Sequence, residues 1–357
     1  MSPDNFLSVP TDCPQRDERM GWTGDIQVFA PTASYLYDCN GMLQNWLSDL
    51  AEEQMKMHDG IPHLVVPDSL SAIGWKATPQ AIWCDVCVLL PWDLYQSYGD
   101  KAVLVKQWDS MVAWLDRGVN RDPKTGLWHP DEAQLGDWLD PIAPPEFAGK
   151  ARTNPTFVAN IYLIHTTNII AQIAKVIGNS ADAERYSKQS ADMFKAFEEE
   201  YITPNGRLMS DSVTAYSLML KFGLIDGPRR EKMAARLRKV VAEELFRVST
   251  GFAGTPAVLP ALAEGGSLSS AYRMLQEKSC PSWLYPVSKG ATTVWERWDS
   301  MLEDGTINPG EMTRYESLLA VTFTLILFDS FNHYALGSAV HFLHKYTSGL
   351  SPLEPGW

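Results

Sequence analysis

The segment at residues 11–25 holds an unusual density of side chains able to do acid–base chemistry. Its fifteen residues contain four carboxylates, two arginines and Trp22, interrupted by one proline and two glycines. No amphipathic helix or strand has this composition, so the segment predicts an ordered loop that carries chemistry on a rigid scaffold. A solvated charged loop is the alternative. The large aromatic surface of Trp22 favours the ordered loop, because a solvated loop has little use for it.

A second cluster lies at residues 292–299, where Glu296 stands between Trp295 and Arg297. Hydrolysis of a glycosidic bond needs two carboxyl groups, one protonated to assist the leaving oxygen and one ionised. Aromatic packing would disfavour the ionised form of Glu296, whereas the arginine would favour it, and the sequence leaves both open. The alternative interpretation is a Glu–Arg pair on the surface at a helix end. The first segment offers the carboxyl groups of Asp12, Asp17, Glu18 and Asp25.

Other polar and aromatic residues are weaker candidates when taken alone. His333 precedes Tyr334, and a single histidine beside a tyrosine is more often a hydrogen-bonded core residue than a catalyst. The remaining candidates are Trp83 and Asp85 near the start of an apolar segment, and Asp137 and Trp138 in a loop.

The sequence does not predict a metal site. His341 and His344 have a spacing that could bind a metal, but no third ligand is in sight, so we interpret them as surface residues. Cys84 and Cys87 form one pair without a matching second pair, which makes metal or redox use improbable. The five cysteines are odd in number and scattered, which does not indicate a disulfide framework.

The bulk composition restricts the partners. Hydrophobic residues make up 45% of the 357 residues and charged residues 20%, as in a globular protein. The net charge of −13 argues against nucleic-acid binding, which requires a basic face, and is compatible with a neutral sugar. The N-terminus has no basic segment followed by an apolar core, so no secretory signal is predicted and the compartment stays open.

Apolar periodicity near 3.6 residues predicts an all-α fold. Strand signals are weak, and nearly all-apolar segments alternate with amphipathic ones, which is typical of an α/α toroid with inner and outer helices. An open solenoid would show a repeat of fixed length, and none is visible. The predicted helices cover residues 28–37, 42–57, 79–98, 102–119, 155–177, 180–201, 213–222, 229–246, 255–262, 267–277, 291–301 and 331–346.

The motifs taken together closely resemble those of α-L-rhamnosidases of glycoside hydrolase family 78. The segment from Asp12 to Asp25 carries the most specific match, and shorter stretches follow in the same order: residues 81–85, 136–139, 292–299, 330–338 and 349–357. The resemblance therefore spans essentially the whole chain. It implies a single (α/α)6 barrel catalytic domain, which we assign to residues 1–357.

The resemblance also implies an activity, which is inverting hydrolysis of terminal α-L-rhamnose from a glycoside or polysaccharide without an organic cofactor. Glu18 matches the general acid and Glu296 the general base, and an inverting pair should stand roughly 6.5–9.5 Å apart. Asp12 and Asp25 would accept hydrogen bonds from sugar hydroxyls, and the tryptophans would pack against the sugar ring and its methyl group. The residues that match the rhamnose subsite are Asp12, Arg16, Trp22, Asp25, Trp83, Trp138 and His333.

Two departures from the family pattern matter. Family members usually carry β domains on both sides of the barrel, so this chain resembles a bare catalytic domain or a truncated product. Residues 314–329 form an atypical apolar insertion, too short to span a bilayer, which we interpret as translated non-coding sequence. A genuine insertion would threaten the reach of His333 to the central cup. Sequencing the mature transcript decides between the two.

The rival hypotheses are a barrel glycosidase for another sugar, which the segment at residues 11–25 disfavours, and an inactive remnant or non-catalytic sugar-binding barrel. Neither a nucleic-acid nor a membrane partner is expected, and the oligomeric state stays open.

Overall fold

The computed structural model describes residues 5–14, 19–144, 147–308 and 330–357. Throughout these ranges the regular secondary structure is helical, and extended pairing is limited to isolated bridges. This confirms the all-α prediction. The α-helices are α1 (Thr23–Leu36), α2 (Asn40–Met57), α3 (Val86–Tyr98), α4 (Ala102–Ala113), α5 (Pro155–Ile177), α6 (Ser180–Tyr201), α7 (Val213–Lys221), α8 (Gly227–Glu243), α9 (Thr255–Glu264), α10 (Leu268–Gln276), α11 (Leu284–Ser288) and α12 (Ala339–Phe342).

The inner helices close into a ring. Helix α1 contacts α3, and the contacts continue through α5, α7 and α9 to the segment at residues 335–342, which returns to α1. Helices α6, α8 and α10 pack outside α5, α7 and α9. The inner helices bury nearly all their apolar faces, whereas outer helices such as α6 and α8 bury one stripe. The closed ring confirms the predicted (α/α)6 toroid.

Helices α5 and α6 begin and end where the sequence predicts. The Asn154 side chain accepts the Phe157 N–H at 3.0 Å and Pro155 occupies the first turn, which together start α5. Gly178, with φ of 88°, ends it, and the Asn179 side chain then accepts the Asp182 N–H at 3.2 Å to start α6. By length and composition alone α5 could cross a membrane, but 83% of its most apolar stretch is buried within the protein.

Four predicted helices differ from the structure. The predicted helix at residues 28–37 begins earlier, at Thr23, so the last residues of the segment at 11–25 are helical and not part of a loop. The predicted helix at residues 79–98 begins only at Val86, because residues 81–85 form tight turns in which Ile82 has φ of 73°. The predicted helix at residues 291–301 is wrong, since this stretch is irregular and pairs with residues 330–333. The predicted helix at residues 331–346 starts as a 3₁₀ turn at Ala335.

The assignment of residues 1–357 to one domain stays a prediction. The apolar insertion at residues 314–329 lies outside the described residues, so its interpretation as non-coding sequence stays a prediction.

Candidate active site

The two ends of the first charged loop are tied together beside Asp12. The Asp12 N–H donates to the Met20 carbonyl at 3.0 Å, and the Met20 N–H donates to Asp12 Oδ1 at 3.2 Å. The Cys13 thiol donates to Asp12 Oδ2 at 2.7 Å, and the Asn5 amide donates to the Asp12 carbonyl at 3.2 Å. The Asp12 side chain is buried. Because its carboxylate accepts hydrogen bonds from two donors and is buried, its position is fixed within the protein.

Helix α1 carries the last acidic residue of the motif, Asp25, into the barrel interior. Trp22 lies in extended backbone and pairs with Val65, while the Thr23 N–H and hydroxyl both donate to the Leu64 carbonyl at 2.9 and 3.0 Å. These contacts fix the start of α1. Asp25 is therefore buried in the first turn, where unpaired backbone N–H groups favour a negative charge.

His333 joins the two aspartates. Its Nε2 lies 3.0 Å from Asp25 Oδ1 and 3.9 Å from Asp12 Oδ2, and its side chain is buried. Burial alone would lower its pKa, but the hydrogen bond and charge of Asp25, with the charges of Glu296 and Asp12, raise the pKa of His333 to about 9. The Ala335 N–H donates to Nδ1 at 3.4 Å, a long hydrogen bond that favours the neutral ring. The carboxylates act in the opposite direction and favour the imidazolium form of His333.

Glu296 is held beside this group by pairing between distant segments. The Glu296 N–H donates to the Ser330 carbonyl at 2.9 Å, and the Ser330 N–H donates back to Glu296 Oε2 at 2.9 Å. The His333 N–H donates to the Val294 carbonyl at 2.9 Å. These bonds align residues 294–296 with residues 330–333 and bring Glu296 close enough to act on the His333 charge.

The alternative of a surface Glu–Arg pair on a helix is wrong. Glu296 is 5% exposed and Arg297 is 4% exposed, in a stretch that is not helical. Arg297 Nε donates to Asp299 Oδ1 at 3.0 Å, and Asp299 Oδ2 accepts from the Asn308 amide at 2.9 Å. The Arg297 side chain is thus paired with a different carboxylate, that of Asp299.

An aromatic wall stands next to the carboxylates. Trp83 is buried, and its ring centroid lies 6.4 Å from that of Trp138 at nearly a right angle. On its other side Trp83 lies nearly parallel to Phe252, at 6.5 Å, and Phe252 approaches the His333 ring at 5.7 Å. The sequence analysis did not identify Phe252, which lies between Gly251 and Gly254. The chain of rings links Trp138 to His333.

Two buried aspartates support this wall rather than line it. Asp85 accepts from the Ile82 N–H at 2.7 Å and from Trp114 Nε1 at 2.9 Å, which sets the turn that presents Trp83. Asp137 accepts from the Thr214 hydroxyl and from the Gly254 N–H. Burial raises the pKa of each to about 6. Both carboxyl groups accept hydrogen bonds from buried protein donors, so we interpret both aspartates as structural.

The structure therefore brings together five predicted residues, which are Asp12, Asp25, Trp83, Glu296 and His333, and links Trp138 to them through Trp83. Half-buried Trp22 precedes α1 at the same end of the barrel. His333 reaches the central cup, where it contacts Asp25, so the expected obstruction by an insertion is not observed. Glu18, Arg16 and Asp17 lie outside the described residues.

Gly24 is a position where the wall and α1 meet. A Cβ atom there would come within 2.5 Å of the Trp83 indole, so Gly24→Ala must displace that ring. We expect Gly24→Ala to lower the free energy of unfolding by about 1–3 kcal/mol and to change the near-ultraviolet circular dichroism of the tryptophans. The control is Gly41→Ala, in an exposed position of α2 with nothing within 4 Å, which should raise the stability by up to about 1 kcal/mol. Equal unfolding curves for both variants would contradict this packing.

The sulfur and histidine groups outside the site show no metal-binding arrangement. Across the described ranges, no cluster of three or more His, Cys, Asp or Glu side chains could hold a metal ion. Cys84 and Cys87 are free, buried thiols, and burial raises the pKa of each. Cys87 Sγ donates to the Cys84 carbonyl at 3.2 Å, which is a local helical contact.

Comparison with known proteins gives consistent matches. Residues 1–347 match the family model of the bacterial alpha-L-rhamnosidase 6 hairpin glycosidase domain. An alpha-L-rhamnosidase of Streptomyces avermitilis is 38% identical over 353 residues, which cover 99% of this chain and 31% of that protein. An alpha-L-rhamnosidase of Formosa agariphila is 32% identical over 355 residues, covering 99% of this chain and 35% of that protein.

Solved structures agree in fold. The crystal structure of a native alpha-L-rhamnosidase from Aspergillus terreus matches with a TM-score of 0.91 at 41% identity, over 99% of this chain and 39% of that one. The Streptomyces avermitilis alpha-L-rhamnosidase complexed with L-rhamnose matches with a TM-score of 0.85 at 37% identity, over 99% of this chain and 31% of that one. The chain spans about a third of the length of these relatives. On the match to the family model, this chain belongs to the bacterial α-L-rhamnosidase six-hairpin glycosidase family.

Proposed function

We propose that this domain hydrolyses terminal α-L-rhamnosides with inversion of configuration, with Glu18 as general acid and Glu296 as general base. The observation that carries the proposal is the placement of buried Glu296 beside the Asp12–Asp25–His333 cluster. Support for the sugar comes from family relatives named as alpha-L-rhamnosidases, one of them solved with L-rhamnose.

In this mechanism Glu296 accepts a proton from the attacking water, and its carboxylate is oriented by the protein. Its Oε2 accepts the Ser330 N–H, which fixes the plane of the carboxylate. Water attacks the anomeric carbon from the face opposite the leaving group and gives its proton to Glu296. Glu18 meanwhile donates its proton to the glycosidic oxygen as the C–O bond breaks. Free rhamnose of inverted configuration and the alcohol are the products.

Glu18 itself lies outside the described residues, and its role rests on the resemblance of the motif. In the sequence it precedes Met20 by two residues, and the Met20 N–H donates to Asp12 Oδ1. Arg16 belongs to the same part of the loop.

The substrate-binding roles follow from charge and shape. Asp12 and Asp25 are acceptors for sugar hydroxyls, and the His333 imidazolium lets two buried carboxylates stand close together. The rings of Trp83 and Trp138 offer apolar faces suited to the C–H face and the methyl group of a 6-deoxy sugar. We also assign Trp22, which immediately precedes α1, to the edge of the sugar-binding site.

The direct test is turnover of an aryl α-L-rhamnoside by the purified chain, with the product followed by proton NMR. We expect β-L-rhamnose to appear first, before mutarotation, and no comparable turnover of an aryl α-D-glucoside. Glu18→Gln should reduce kcat strongly for an alkyl rhamnoside and much less for a dinitrophenyl rhamnoside, because a good leaving group needs little proton donation. Glu132→Gln is the matched control, since Glu132 accepts from the Asn120 amide in an exposed contact.

Several outcomes would contradict the proposal. α-L-Rhamnose as the first product would exclude inversion. A Glu18→Gln variant with the same leaving-group dependence as wild type would remove Glu18 as the acid. A folded chain without any turnover would favour a non-catalytic sugar-binding barrel.

A further inference from the structure

A further cavity of about 430 Å³ lies inside the ring of helices. The catalytic side chains precede the inner helices or occupy their first turns, whereas this cavity is lined by residues from the middle and far parts of α1, α3, α5 and α7, together with Ala253, Pro256 and Ala257 around the start of α9. Tyr35 lies near the end of α1, Gln96 near the end of α3 and Lys221 at the end of α7. None of the residues placed in the catalytic group lines it.

Two buried polar atoms in the wall of this cavity lack a protein partner. Gln27 is 8% exposed and Ser338 is 3% exposed, and both line the cavity. Within the described part of the chain, Gln27 Oε1 and Ser338 Oγ have no hydrogen-bond partner. An unsatisfied buried polar group costs about 1–3 kcal/mol, so such groups indicate a bound polar molecule.

The charges in the wall favour an anion. Lys221 and Lys345 both line the cavity, and burial lowers the pKa of Lys221 despite the opposing charge of Glu264. Lys221 Nζ lies 3.8 Å from Glu264 Oε1, but Glu264 also pairs with Arg230 and accepts from Tyr346, so its charge is shared. The positive charges of Lys221 and Lys345 are thus only partly neutralised. The chain as a whole is acidic, with a net charge of −13.

The other titratable groups of the wall add little negative charge. Burial raises the pKa of Asp93 to about 7, against the effect of Lys221. Burial lowers the pKa of His165 and of His341 to about 3, so both are neutral at pH 7. His341 is half buried in this wall, which corrects its interpretation as a surface residue. With both histidines neutral and the charge of Glu264 shared, the lysines leave the wall positive, which favours a small anion.

The rest of the wall suits a hydroxylated ring. Trp92 and Tyr35 offer aromatic faces, and the Tyr35 ring is held by stacking on His344 at 4.9 Å. Amide and hydroxyl groups stand among them, from Gln96, Ser34 and Ser97. Aromatic walls with a few convergent polar groups are the usual lining of a small-molecule site.

We propose that this cavity binds a small hydroxylated monocarboxylate of the sugar-acid class, its carboxylate between Lys221 and Lys345 and its hydroxyls on the amide and hydroxyl groups of the wall. The site is separate from the catalytic group, and the proposal is independent of the rhamnosidase activity.

Calorimetric titration with D-glucuronate tests the proposal on the full chain. Two control ligands test the carboxylate and the hydroxyls separately. D-Glucose lacks the carboxylate, and cyclohexanecarboxylate lacks the hydroxyls. We expect saturable binding of glucuronate and binding at least about tenfold weaker for either probe. Lys221→Met should weaken glucuronate binding by about tenfold or more, whereas Lys188→Met, an exposed lysine paired with Asp192, should not change it.

Further variants separate binding from folding and from the catalytic site. Lys345→Met provides a second cavity variant should thermal melting show Lys221→Met to be unfolded. Glu296→Gln should leave glucuronate binding intact, and Lys221→Met should retain whatever rhamnoside turnover the wild type shows. No saturable heat with glucuronate, equal affinity for glucose, or affinity unchanged in both lysine variants would overturn the proposal. Loss of glucuronate binding in folded Glu296→Gln would place the ligand in the catalytic cup and overturn it too.

Discussion

Replacing Glu296 with glutamine should lower kcat for an aryl α-L-rhamnoside by about 10²–10⁴-fold, the usual contribution of a positioned general base. Glutamine keeps the size of the side chain, and its carbonyl oxygen can still accept the Ser330 N–H that orients Glu296. The variant therefore loses the ability to take a proton from water but not the local pairing. Initial rates of aryl release at saturating substrate measure the effect.

Azide distinguishes a missing base from a damaged site. In Glu296→Ala the removed side chain leaves room for a small anion, and azide needs no base to attack the anomeric carbon. Added azide should restore aryl release and yield β-L-rhamnosyl azide, with configuration inverted. The matched control is Glu53→Gln, because Glu53 also accepts a backbone N–H, that of Asp68, but lies on α2 away from the site. Full activity in Glu296→Gln, or an α-configured azide product, would remove Glu296 as the base.

The fold was predictable from sequence where local signals set it. Helix α5 has an Asn cap, a first-turn proline and a terminal glycine, so its ends follow from neighbouring residues. The stretch at residues 291–301 has apolar spacing but no comparable cap. Its Glu296 N–H donates to the Ser330 carbonyl, and its Val294 carbonyl accepts from the His333 N–H. A pairing across more than thirty residues has no local signature, and the helix prediction failed there.

The residues of the candidate site were also predictable from sequence only in part. Glu296 and the aspartates stood out because charged residues beside tryptophan and glycine are improbable on an ordinary helix. The residue types around His333 predicted a hydrogen-bonded core histidine, and the structure gives it that burial together with carboxylate partners from α1 and from the loop before it. Phe252 and the supporting role of Asp137 could not be predicted, since they depend on the approach of Gly251 to the Trp138 backbone. Such an approach exists only once the ring of helices is closed.

The imidazolium of His333 should make stability depend on pH in a defined window. Its pKa is about 9 in the folded chain, against an ordinary value of 6.5 in the unfolded chain. A raised pKa means that the folded state binds the proton more tightly, so the stabilisation is fully present below pH 6.5 and is lost as pH rises through about 9. The shift corresponds to about 3 kcal/mol. Measured by urea unfolding, the stability advantage of wild type over His333→Gln should shrink by about that amount between pH 6 and pH 10.

His341 supplies the control for this experiment, because its pKa is shifted the opposite way, to about 3. It is neutral in the folded chain and in the unfolded chain alike above pH 6.5, so the difference between wild type and His341→Gln should stay flat from pH 7 to pH 10. Below pH 6.5 that difference should move against wild type, since only the unfolded chain gains the proton. A difference for His333→Gln as flat as that for His341→Gln in the alkaline window would mean that His333 is neutral, and that the buried carboxylates of Asp12, Asp25 and Glu296 are not balanced by its charge.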